Sequence, residues 1–141
     1  MSALGTILVV DGAPPPSAKM AAHGAASTLA FELSDGAQRL VVNCGGPGPL
    51  PTGLPDELVQ GLSTTAAHST LVLADTNSTS VQPDGSLGKG VEDVTIDRSE
   101  DNDASRLEAS HDGYARAFGM IHKRSLMLGN DGKEQIGRAH V

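Results

Sequence analysis

Acid–base or metal chemistry in this 141-residue chain would fall first to its histidines, at positions 23, 68, 111, 122 and 140. Imidazole is the side chain that exchanges a proton near neutral pH and ligates transition metals. His23 follows a stretch opened by Pro14-Pro15-Pro16 and precedes Gly24, so it reads as a loop histidine, either solvated or offered to a substrate. His68 begins a short apolar run, where it is expected to hydrogen-bond backbone near the strand start, with Asn43 as a candidate partner. His111, Asp112 and Tyr114 have the residue types of an acid–base constellation, but Asp112-Gly113 is also a turn signal that hairpin residues would flank. Tyr114 is the one aromatic suited to serve as a platform for a sugar ring. His122-Lys123-Arg124 could meet an anionic sugar through Lys123 and Arg124, although basic residues on a strand more often form a solvated face. Cys44 follows an apolar run and has no basic neighbour to stabilise a thiolate, so it reads as a small buried residue.

The elements that must position these groups are marked by turns. Asp-Gly recurs at Asp11-Gly12, Asp35-Gly36, Asp84-Gly85, Asp112-Gly113 and Asp131-Gly132, between short apolar runs. This pairing supplies the positive φ of tight hairpins and predicts a meander of antiparallel strands. Strands are expected at Thr6–Val10, at Ser27–Leu33 and Arg39–Asn43 as a hairpin, and at His68–Leu73. Further strands are expected around Val91, Val94 and Ile96, at Leu107–His111, and at Gly119–Leu128. Pro55 can open one short helix over Asp56–Leu62. Residues 13–22 and 45–55 are too rich in proline, glycine and alanine for regular structure, and Glu100–Ala104 is a charged bend. The expectation is an all-β, antiparallel sandwich with at most one short helix.

Composition narrows the function classes. Only Phe31, Phe118 and Tyr114 are aromatic, so the core must rest on Val, Leu, Ile and Ala, or on a neighbouring domain. The net charge is −7, from 17 acidic against 10 basic residues, and the basic ones form no stripe. Such a surface repels phosphate backbones and excludes nucleic acid as a partner. No apolar run approaches spanning length, so membrane insertion is not expected. Ile7–Val10 is too short for the apolar region of a signal peptide. With Cys44 as the single cysteine, no internal disulfide can form.

Ile136-Gly137-Arg138-Ala139-His140-Val141 resembles the translation of a short-read sequencing adapter, which sets His140 aside as a candidate. Met1 reads as an internal methionine of a longer protein. The expected organisation is one partial sandwich over residues 1–135, followed by a non-native tail.

Three ordered blocks resemble the C-terminal sandwich domain of the heparinase II/III-like family. His23-Gly24-Ala25-Ala26-Ser27-Thr28-Leu29-Ala30-Phe31-Glu32-Leu33 is similar to the family's HGHxDALSFEL. Leu40-Val41-Val42-Asn43-Cys44-Gly45 is similar to its LLVDxG, and Ser63-Thr64-Thr65-Ala66-Ala67-His68-Ser69-Thr70 to its RSTAAHNT. A weaker fourth block runs through Glu108–Tyr114 and Ile121–Arg124. The resemblance implies one domain of a polysaccharide lyase that cleaves uronate-containing polysaccharides by β-elimination, in the periplasm. It also implies an N-terminal α/α toroid, absent from this chain, that supplies further catalytic groups. This fragment would then be inactive by itself and would meet an acidic polysaccharide only through its parent enzyme. The histidine that the sandwich contributes to catalysis corresponds to His23. Relatives often hold zinc through positions that correspond here to Ala25, Asn43 and His68. Only His68 is a good donor, so the expectation is no zinc cofactor. The competing expectation is a non-catalytic sandwich for carbohydrate binding or domain support.

Overall fold

The computed structural model describes residues 1–16, 24–45, 55–132 and 135–141. Alternation of apolar and polar residues gives two four-stranded antiparallel sheets, as the turn chemistry predicted. The first holds β1 (Ser2–Ala3), β2 (Thr6–Val10), β3 (Phe31–Asp35) and β4 (Gln38–Val41), hydrogen-bonded in that order. The second holds β5 (Val94–Glu100), β6 (Ala104–His111), β7 (His122–Gly129) and β8 (Gln135–His140). Asp35 pairs with Gln38 across a two-residue loop in which Gly36 takes φ 54°, the positive value expected of an Asp-Gly hairpin. The segment set apart as a tail contributes β8, which pairs with β7 from Leu128↔Gln135 to Lys123↔His140.

The sheets meet through Leu8, Leu29, Leu33, Leu107, Ala109 and Leu126, with Met1, Val10, Phe31, Val41 and Val94 packed around them. Leucine and alanine therefore dominate the interior, as the scarcity of aromatics required. In β7 the inward positions are His122, Arg124, Leu126 and Leu128, all buried, whereas Lys123 points outward and is exposed. In β6 Leu107, Ala109 and His111 face the same way.

Helix α1 covers Asp56–Leu62 with Pro55 at its N-cap, as predicted. Three expectations need correction. Ser27–Ala30 is not strand: Leu29 takes φ 62°, and that left-handed turn delays β3 to Phe31. His68–Leu73 is not strand either. Ala74 and Asp75 turn the chain at φ 47° and 53°, leaving only an isolated bridge between Leu73 and Thr76. Asp112-Gly113 does not close a hairpin. The Asp112 side chain accepts the N–H groups of Glu92 and Asp93, and the chain continues into a helical turn, α2 (Ala115–Phe118), before β7. Glycine is needed there for space, because a Cβ at Gly113 would lie 2.6 Å from the Ser78 carbonyl oxygen.

Candidate functional site

The resembling blocks, far apart in sequence, form one hydrogen-bonded network. The Ala26 N–H donates to the Ser63 carbonyl at 2.8 Å, and Thr70 Oγ1 donates to the Thr28 carbonyl at 3.1 Å. Ser69 Oγ accepts the Phe31 N–H at 2.9 Å and is also in contact with the Phe31 carbonyl. Asn43 joins all three segments. Its Oδ1 accepts the Ser69 N–H at 2.7 Å, its Nδ2 donates to the Phe31 carbonyl at 3.3 Å, and its own N–H donates to Glu32 Oε1. Irregular backbone thus meets its hydrogen-bonding needs through side chains, where a strand would use a neighbour.

The fourth block closes this network from the opposite sheet. Arg124 Nη1 donates to the carbonyls of Leu29 and Ser69, both at 2.7 Å, and the guanidinium lies 5.1 Å from the centre of the Phe31 ring. Tyr114 Oη donates to the Leu71 carbonyl at 2.6 Å. Arg124 is 7% exposed and Tyr114 is fully buried. Neither side chain presents a surface to a sugar, whereas Lys123 does, from the outer face of the sheet. Tyr114, Lys123 and Arg124 therefore do not share one face.

His111 and His122 lie directly across from each other on β6 and β7, fully interior. His111 Nδ1 accepts the Gly113 N–H at 3.0 Å, which leaves its proton on Nε2. That proton faces His122 Nδ1 at 2.9 Å, so neutral His122 carries its own on Nε2, a buried atom without a hydrogen-bond partner among the described residues. Burial lowers the pKa of His111 to about 4, against a rise from the Asp112 charge and with a further lowering from Arg124. Burial, then the neighbouring His111 and Arg124, lowers that of His122 to about 3. Both rings are neutral at pH 7. The apposition of the two imidazoles was not foreseen, although their places on facing strands around a turn carried the signal.

His68 Nδ1 donates to the Thr64 carbonyl at 2.9 Å, a main-chain bond of the expected kind, but to Thr64 and not to Asn43. Asn43 is engaged with Phe31 and Ser69, and Ala25 has no donor to offer a metal. Among the described residues no cluster of three or more His, Cys, Asp or Glu side chains could hold a metal ion. His23 lies outside the described residues; Gly24, the next residue, is buried close to Pro16 and Leu87. A groove of about 900 Å³ is lined among others by Asp75, Ser78, Lys89, Glu92, Asp112 and Arg116. Cys44 is exposed, contrary to its reading as a buried residue.

The profile of the family described as Heparinase II/III-like, C-terminal, matches residues 1–138. The chain belongs to this family. The match covers the blocks around His23, Asn43 and His68, and it extends through residues 136–138 of the segment read as a tail. No curated protein and no solved structure matches the chain. Among the described residues of this heparinase II/III-like domain, no helix is long and apolar enough to cross a membrane.

Proposed function

We propose that this heparinase II/III-like domain is the sandwich half of a polysaccharide lyase that cleaves uronate-containing polysaccharides by β-elimination, with His23 as its catalytic residue. The observation that carries the reading is the family match over residues 1–138, which includes the His23 block. β-Elimination needs a positive or hydrogen-bonding environment for the uronate carboxylate, a base for the adjacent ring proton, and an acid for the leaving oxygen. His23 can act as base or acid in that scheme. The other groups would come from an N-terminal toroid of the parent protein, and the acidic substrate would be met in the periplasm. Of Lys123 and Arg124, the two cations considered for contact with an anionic sugar, Lys123 is the exposed one.

The geometry favours catalysis without a zinc ion in this domain. Asn43 holds Phe31 and Ser69 together, and Ala25 replaces a donor, so His68 would stand alone as a ligand. The same substitutions support a second reading, a sandwich retained for domain support or carbohydrate binding. A panel of uronate polysaccharides incubated with the intact parent protein separates the two readings. Ultraviolet absorbance from an unsaturated uronate product is expected for the lyase; binding without that absorbance would favour support.

A further inference from the structure

We infer that Arg124 is a positioning residue, a buried cation that fixes the main chain following His23 to the main chain of the His68 segment. Burying a guanidinium costs several kcal/mol unless its protons are matched by acceptors. The ion pairs among the described residues are Arg39–Glu32, Arg98–Glu100 and Arg106–Asp101, so Arg124 has no carboxylate partner there. Both protons of its Nη1 go instead to carbonyls, of Leu29 and of Ser69, which lie 95 and 55 residues away in sequence.

The location of those carbonyls gives the arrangement its meaning. Neither segment has a strand ladder, and Leu29 holds a left-handed conformation that a branched side chain rarely adopts. Such a conformation persists where the surroundings over-determine it. The Leu29 N–H donates to the Asp11 carbonyl while its carbonyl accepts from Arg124, so the turn is held from both sides. Lysine would not replace this arginine, because a hydrated ammonium neither forks between two carbonyls in one plane nor stacks on Phe31. At 7% exposure the guanidinium is also out of reach of a polysaccharide.

The consequence for turnover rests on the proposed role of His23; the anchoring of the main chain does not. The test uses the intact parent protein with Arg124→Lys, which keeps charge and most of the volume. Amide hydrogen exchange of residues 24–30 is compared with that of β6, alongside kcat and KM for β-elimination and the same assays on His23→Ala. In Arg124→Lys, exchange at Leu29 and Ala30 should rise at least about 10-fold more than in β6, with kcat down about 10- to 100-fold and KM nearly unchanged, as for a misplaced catalytic group. Exchange rising equally in both regions, or a kcat that stays unchanged while the segment loosens, would overturn the positioning role. Unchanged turnover in His23→Ala would instead remove the catalytic reading and leave the exchange result to decide for Arg124. In the wild type, NMR should resolve slowly exchanging Nη1 protons on Arg124; a single averaged, rapidly exchanging signal would contradict the anchor.

Discussion

Two regions of this domain are held together by different means. The β6–β7 pair is a regular ladder, with eight residues on each strand in register from Ala104↔Gly129 to His111↔His122. The segments at 24–30 and 63–76 have almost no ladder and are held by Ser69, Thr70, Asn43, Arg124 and Tyr114 bonding to main-chain atoms. The ladder draws its stability from alternating burial; the irregular region depends on a few polar side chains, each with an identifiable partner. The third resembling block and most of the first fall in the second region, whereas the fourth lies on β6, β7 and the turn between them. The irregular region meets the polar inner end of the regular sheet at Arg124, which donates to the Leu29 and Ser69 carbonyls.

Leu126→Ala would break the ladder side of this contrast. Leu126 is 4% exposed in the main core cluster, and its truncation should cost about 2–5 kcal/mol, read as a lower denaturant midpoint. The histidine pair sets the next largest effect. Both rings are neutral in the fold below their ordinary value of 6.5, whereas the unfolded chain protonates there. Protons therefore bind preferentially to the unfolded state, and stability falls as pH drops from 6.5 toward 4. The slope should reach about 1.4 kcal/mol per pH unit for each histidine. Replacing both with a neutral pair, His111→Gln with His122→Leu, should flatten the curve in that window; an unchanged slope would remove the pair as its cause.

Asn43→Asp tests the irregular region and restores the residue type of the family's LLVDxG block. It turns the Nδ2 donor facing the Phe31 carbonyl into an acceptor and should cost about 1–3 kcal/mol, visible as a lower melting temperature. Tyr114→Phe leaves the Leu71 carbonyl without its donor and should cost about 1–2 kcal/mol, with faster amide exchange confined to the neighbourhood of residues 71–76. Arg39→Ala, which removes an exposed ion pair with Glu32, should change stability by less than about 0.5 kcal/mol.

The same contrast explains what could be read in the sequence. β2, β7 and the Asp35-Gly36 hairpin were legible because period-two alternation and turn chemistry are local signals. Residues 27–30 and 68–73 look like strands by composition. Their side chains instead bond to main chain dozens of residues away, as Thr70 does to Thr28, and no local pattern announces that. Tyr114 and Arg124 were considered as sugar contacts because their types suit one. Alternation with Leu126 and Leu128 was the available sign that Arg124 points inward, opposite to Lys123. His68 was legible as a histidine bonded to backbone, but its partner at Thr64 depends on the short 3-10 turn at Thr65–Ala67.

In the proposed function, the irregular region serves a catalytic histidine, His23. The most direct test of that role is β-elimination of a uronate polysaccharide by the intact parent protein, comparing wild type with His23→Ala and with Lys123→Ala. Loss of a general acid or base should lower kcat by about 100-fold or more in His23→Ala. Lys123→Ala should act mainly on KM. Turnover by His23→Ala equal to the wild type would contradict a catalytic role for His23.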